Sequence, residues 1–168
     1  EISGQIKKVG VFVNEVPETI ISAAEELNLD YIQLHGDESP DYCNNIKTSV
    51  IKVFHVDNYF DTAVLQDYNV HAFLFDTYQK GKFGGTGERF NWHLITDLIT
   101  ETPIILSGGL NHDNIINGIE TIQPSAVDVN SGVELEPGVK DGRKLRQLFN
   151  VLKNTESNSH IFNNSFVE

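Results

Sequence analysis

Six short apolar runs, rich in β-branched and aromatic residues, recur along the chain, and their spacing is the strongest constraint on its fold. They lie at Val9–Val13, Tyr31–Leu34, Val50–Phe54, Ala72–Phe75, Pro103–Leu106 and Ala126–Val129. Each is four or five residues long and nearly continuous in apolar character. Strands read this way when both of their faces are buried, as in a parallel sheet. Their starts at 9, 31, 50, 72, 103 and 126 are separated by 22, 19, 22, 31 and 23 residues, enough for one helix and two short loops per crossover.

The intervening segments carry helical signals. Glu18–Leu27 places Ile20, Ile21, Ala24 and Leu27 on one stripe, with Pro17 suited to a first turn. Arg89–Ile99 repeats the device with Phe90, Leu94, Ile95 and Leu98. Further helices are predicted at Ser39–Lys47, Asn58–Tyr68, Asn111–Ile122 and Lys140–Lys153. The result is an α/β chain of six βα units. Two architectures accommodate it: an open doubly wound sheet, or a (β/α)8 barrel of which six units are present. Residues 1–153 read as one domain, and 154–168, rich in Asn and Ser, as a polar tail. A chain that begins at Glu1 and contains no methionine is expected to be a processed or truncated product.

Charge and composition narrow the function. With 24 acidic against 12 basic side chains, the net charge of −12 disfavours nucleic acid and anionic membrane as partners and suits a small-molecule ligand. No apolar run approaches the roughly 18 residues of a membrane-spanning helix. The lone cysteine, Cys43, has no internal disulfide partner, which agrees with a reducing compartment, and a cytoplasmic location is expected.

Polar residues gather just after the strands: Asn14, His35 with Asp37, His55, Asp76, Ser107, and Asp128 with Asn130 and Ser131. In parallel α/β folds the ligand sits at the carboxyl ends of the strands. Any one of these residues also suits a turn or a helix cap, so the argument rests on the set. Asp76 closes the run Ala72-Phe73-Leu74-Phe75, at the rim of an apolar wall. A carboxylic acid so placed is a candidate general acid, because burial beside apolar groups favours the protonated form.

Glycines cluster at Gly84-Gly85-Thr86-Gly87, at Gly108-Gly109 and at Gly132 after Ser131. The last two clusters follow the last two strands, where barrels commonly hold a phosphate on backbone N–H groups. A phosphorylated small molecule is therefore the expected ligand. His35 has no Cys or His at metal-ligand spacing and reads as a structural or substrate-contacting histidine rather than a zinc ligand. Cys43 reads as an inert packing thiol. Lys52, inside a strand between Ile51 and Val53, suits a barrel interior or a polar layer, and its sequence context does not choose.

These stretches resemble a known family. "VGVFVNE" at 9–15, "YIQLHGDE" at 31–38, "VIKVF" at 50–54, "FLFDT" at 73–77, "GGTGERFNW" at 84–92, "PIILSGGL" at 103–110 and "AVDVNSGVELEPGVKD" at 126–141 are similar to successive motifs of the phosphoribosylanthranilate isomerases. The resemblance implies a (β/α)8 TIM barrel, with these six units as its third to eighth. It implies an Amadori rearrangement of N-(5-phosphoribosyl)anthranilate in tryptophan biosynthesis, without metal or cofactor. Asp76 would be the general acid on the ring oxygen, with Asp128 orienting the substrate's amino group and His35 contacting substrate. Gly108, Gly109, Ser131 and Gly132 would bind the phosphate.

The family's basic cysteine, in a Lys-Ile-Cys-Gly-like first-strand motif, and its carboxylate-gripping arginine after the second strand have no counterpart between Glu1 and Glu168. Cys43 matches no catalytic position, so the 168-residue chain alone is expected to lack appreciable activity. Asn91 stands where the family often has Asp, which implies only an altered helix-start contact. Other readings of the pattern are a phosphate-binding barrel such as indole-glycerol-phosphate synthase, a six-stranded nucleotide or flavin module without catalysis, and a noncatalytic paralogue retaining phosphate binding.

Overall fold

The computed structural model describes residues 6–77 and 90–156. Six strands form one sheet in the order β1 (Val9–Phe12), β2 (Tyr31–Leu34), β3 (Ser49–Val56), β4 (Ala72–Thr77), β5 (Ile104–Leu106) and β6 (Ala126–Val127). Each strand neighbours the next in the chain, and β1/β2, β2/β3 and β5/β6 pair in parallel. A doubly wound sheet reverses its strand order at a switch point, and this order contains no reversal. The open-sheet alternative is thereby excluded. Every residue of β4 is buried, the apolar run Ala72–Phe75 and also Asp76 and Thr77 at its end.

The chain divides into two compact units, Glu1–Phe54 with Asp61–Leu74, and His55–Phe60 with Phe75–Glu168. In the first, α1 (Pro17–Leu27) starts with proline in its first turn, where a missing N–H costs nothing. It stops at Asn28, whose φ of 50° is tolerated by asparagine. Its Ile20 and Ala24 pack with Ile32, Leu34, Cys43, Ile46 and Val50. The short α2 (Pro40–Asn44) is capped by the Ser39 hydroxyl, which accepts from the Tyr42 N–H at 3.2 Å. Outermost in the sheet, β1 leaves Val9 and Val11 exposed.

In the second unit, α3 (Ile115–Ile122) and α4 (Gly142–Glu156) contribute Ile115, Ile119 and Leu148 to a core shared with Val133. Between β6 and α4 lies an antiparallel hairpin, β7 (Glu134–Glu136) and β8 (Val139–Lys140). Its tip is Pro137-Gly138, with Gly138 at φ 83°, the pairing that a type II turn favours. The sequence reading places a helix start at Lys140 and has no hairpin. The Pro-Gly pair is the overlooked signal.

Three predicted helices are shortened for one physical reason. Over 58–68 only a 3-10 helix, Thr62–Asp67, forms. Asp57 accepts from the Tyr59 N–H at 2.8 Å and Asp61 from the Ala63 N–H at 2.9 Å, so side chains take the amides a longer helix would use. Over 89–99 the described residues hold a 3-10 turn, Trp92–Leu94, with Asn91 accepting from the His93 N–H at 3.2 Å. That is the helix-start contact expected of Asn91. Asn111 likewise accepts from Asp113 N–H at 2.8 Å, and α3 begins only at Ile115. At the other extreme α4 continues to Glu156, past the expected tail boundary at 153, while the remainder of that tail and the Gly84–Gly87 cluster lie outside the described residues.

Candidate active site

Within the first unit, the loops after β1 and β2 are built around one buried carboxylate. Glu38 accepts from the Asn14 N–H at 2.8 Å, from the Gly36 N–H at 3.0 and 3.2 Å, and from the Lys52 ammonium at 2.8 Å. Lys52 also donates to the Gly36 carbonyl at 2.7 Å and more distantly to that of Leu34 at 3.5 Å. Burial pushes the Glu38 carboxyl up, but the Lys52 and backbone donors outweigh it and hold it below the ordinary glutamate range. Asn14, at φ 50°, accepts from the Asp37 N–H at 2.7 Å. A Cβ on Gly36 would lie 2.3 Å from the Asn14 Oδ1 and 2.8 Å from the Glu38 Oε1, so any side chain there would displace this network. Lys52, for which a barrel interior and a polar layer were both open, is buried with its ammonium on protein oxygens of these loops.

His35 sits at the end of β2 in the same network. Its N–H donates to the Phe12 carbonyl at 2.8 Å, and its Nδ1 lies 3.2 Å from the Gln33 amide nitrogen. The glutamate-lysine lock fixes the turn immediately after it, so His35 emerges from a rigid support. Cys43 is buried beneath, and desolvation raises its thiol to about 11, the nearby Lys52 ammonium only partly opposing this. A thiol so placed is neither accessible nor ionised at neutral pH, as the inert reading requires.

In the second unit Asp76 is the penultimate residue of β4 and is buried. Its Oδ1 accepts from the Thr77 N–H at 2.7 Å, and the Thr77 hydroxyl accepts from the Phe90 N–H at 3.1 Å. One His55 ring nitrogen and an Asp76 carboxylate oxygen lie within 4.8 Å of each other. The backbone after β5 passes directly over this strand end. Gly108, at φ 85°, would place a Cβ 2.4 Å from the Thr77 hydroxyl and 3.1 Å from the Asp76 Oδ1. Gly109 follows at φ 66°.

Asp128 closes the set. Its N–H donates to the Leu106 carbonyl at 2.9 Å, and the Ser107 hydroxyl lies 3.4 Å from its Oδ2. Next, Ser131 and Gly132 form a 3-10 turn, Ser131–Val133, that abuts the preceding loop: a Cβ on Gly132 would fall 1.8 Å from the Leu110 carbonyl oxygen. Asp76 lies at the end of β4, and Gly108, Gly109, Asp128, Ser131 and Gly132 follow β5 and β6, linked by direct contacts from one loop to the next. Glu38 and Lys140 take part in the loops after β2 and β6 without a sequence signal of their own. Neither lies in a pattern that distinguishes it from a solvated surface charge.

The family model for N-(5'-phosphoribosyl)anthranilate isomerase matches residues 2–151. The chain belongs to that family. Its resemblance to the isomerase of Thermoanaerobacter pseudethanolicus is 46% identity over 143 residues, covering 84% of this chain and 70% of that protein. The crystal structure of the Thermus thermophilus phosphoribosylanthranilate isomerase superposes with a TM-score of 0.82 at 32% identity, over 92% of this chain and 76% of that one. A second similar structure, with a TM-score of 0.73 and 33% identity over 92% of this chain and 75% of its own, is a phosphoribosyl anthranilate isomerase in complex with reduced 1-(o-carboxyphenylamino)-1-deoxyribulose 5-phosphate. The fold is accordingly that of the family's (β/α)8 barrel, carried here by six consecutive parallel strands. Among the described residues no helix is long and apolar enough to cross a membrane.

Proposed function

We propose that this phosphoribosylanthranilate isomerase family member carries the general acid and the phosphate-binding loops of the Amadori rearrangement in tryptophan biosynthesis. Asp76 protonates the furanose ring oxygen, the ring opens to a Schiff base, loss of the C2 proton gives an enolamine, and tautomerisation gives the ketone. The proton taken from C2 and the proton delivered to the ring oxygen balance, and the rearrangement is redox-neutral overall, so it consumes no external oxidant or reductant. Asp128 orients the substrate's amino group, and His35 contacts the substrate from the end of β2.

The substrate phosphate rests on backbone N–H groups around Gly108, Gly109, Ser131 and Gly132. This suits a protein of net charge −12, because local dipoles must overcome an overall field that repels an anion. The base at C2 is the cysteine of the family's first-strand motif, and Cys43 takes no part. We place the reaction in the cytoplasm, consistent with the lone unpaired cysteine.

The observation that carries this reading is the close approach of Gly108 to the Asp76-Thr77 end of β4. The only residue type that fits there lets the loop after β5 close directly upon a buried carboxyl. The experiment is Asp76→Asn in a chimera that joins this chain to the leading βα units of the Thermoanaerobacter relative. Turnover should fall by roughly 10²- to 10⁴-fold, the usual contribution of a positioned acid, with little change in substrate affinity. A variant that keeps more than about a tenth of the parent turnover removes Asp76 from the mechanism.

A further inference from the structure

The hairpin between β6 and α4 returns one side chain to the turn from which it departs. Glu134 and Lys140 are cross-strand partners in β7 and β8, so the Lys140 ammonium lies back at the end of the Ser131–Val133 turn. It donates to the Asn130 carbonyl at 2.9 Å, to the Asn130 side-chain oxygen, and to Glu134 Oε1 at 2.8 Å. Asn130 and Glu134 are the residues flanking that turn on either side. One ammonium therefore closes the turn at both of its ends.

Two further bonds tie down the same segment. The Asp141 N–H donates to the Val133 carbonyl at 2.8 Å, and Lys144 donates to the Glu134 carbonyl at 2.6 Å. The Lys140 hydrogen bond, aided by its charge and opposed by some burial, holds the Glu134 carboxyl below the ordinary glutamate range. With its ammonium spent on three protein oxygens, Lys140 is arranged to shape the loop rather than to meet an anion itself. Both partners of the Lys140–Glu134 pair retain some exposure, and ion pairs of this kind add little to global stability. The bonds matter for what they hold.

We propose that Lys140 is a positioning residue for the anion loop: it holds the Ser131–Val133 turn in the shape that presents the Gly132 N–H to the substrate phosphate. This rests on the phosphate placement proposed above, and it adds a residue that touches no substrate. Loss of the ammonium leaves the Asn130 carbonyl with only the Val133 N–H at 3.3 Å and the Glu134 carboxylate with only the Gly138 N–H, so nothing bridges the two ends of the turn. The turn then samples other shapes while the core beneath, with Val133, Ile119 and Leu148, stays packed.

The test is a titration of the isotopically labelled 168-residue chain with inorganic phosphate, following the Gly109 and Gly132 amide resonances by NMR. In the unsubstituted chain both should shift. In Lys140→Met the phosphate affinity reported by Gly132 should fall roughly tenfold, with the Gly109 shift retained and the thermal midpoint little changed. Lys140→Arg should restore most of the loss. If Lys140→Met does not fold, Glu134→Gln serves in its place, since it weakens one arm of the clamp without changing side-chain size, and it should weaken binding by a smaller factor. Undiminished affinity in the variant, with Gly132 shifting as in the parent, overturns the role of Lys140 and leaves the phosphate placement standing. An unsubstituted chain in which phosphate moves neither glycine overturns the placement, and the inference with it.

Discussion

The Lys52 ammonium and the Glu38 carboxylate lie 2.8 Å apart with both side chains almost wholly buried, and this pair holds the loops that follow β1 and β2. A buried pair repays its desolvation only when the remaining lone pairs and protons are satisfied, and here backbone groups of Asn14, Gly36 and Leu34 do so. Lys52→Met would leave Glu38 charged, buried and short of its principal partner. The expected loss is about 3–5 kcal/mol, read from urea unfolding midpoints. A loss below about 1 kcal/mol would mean that the pair behaves as a surface one.

The same pair sets the acid limit of the fold. Because the Glu38 carboxyl is held below its ordinary range, the folded state binds its proton less readily than the unfolded chain does. Stability from this group is fully present above the unfolded glutamate value of about 4.3 and is lost as pH falls through the lower folded value. Glu38→Gln should therefore be less stable at pH 7 and show a flatter stability profile below about pH 4. Parallel profiles for parent and variant across that window would contradict the assignment.

Cys43 should be silent in the native protein. It is buried and its thiol is raised to about 11, so the thiolate that reacts with alkylating agents is scarce at pH 8. The folded state favours the neutral thiol, so its contribution to stability is complete below the ordinary cysteine range and fades as pH rises toward 11. Iodoacetamide labelling at pH 8 should proceed at the rate of unfolding, and Cys43→Ser in the chimera should leave turnover unchanged. Rapid labelling of the folded chain, or turnover abolished by the serine, would reopen its catalytic role.

The strands were legible because their signal is dense: β2 occupies the run Tyr31–Leu34, and β4 buries the whole run Ala72–Phe75, although β1 leaves Val9 and Val11 exposed. Helix lengths were less legible. Asp57, Asp61 and Asn111 each divert a nearby amide, a local competition that apolar periodicity does not register. Asp76 and the glycine pairs stood out because strand ends concentrate function. Glu38, Lys52 and Lys140 gain meaning only once residues distant in sequence converge, as Lys52 does on the carboxylate fourteen positions earlier.

Two glycines of the second unit should respond oppositely to alanine. At Gly132 an added Cβ meets the Leu110 carbonyl oxygen at 1.8 Å, and a backbone atom cannot swing aside as a flexible side chain would. At Gly138 nothing lies within 4 Å, and the cost is confined to holding alanine at φ 83°. Gly138→Ala should therefore cost about 1–2 kcal/mol and leave phosphate binding nearly intact. Gly132→Ala must push the loops after β5 and β6 apart, so it should reduce phosphate affinity by roughly tenfold or more beyond any loss of stability. Urea unfolding measures the first quantity and phosphate titration the second, on the same two proteins. If Gly138→Ala weakened phosphate binding as much as Gly132→Ala, the hairpin tip rather than the contact between the loops would govern the site.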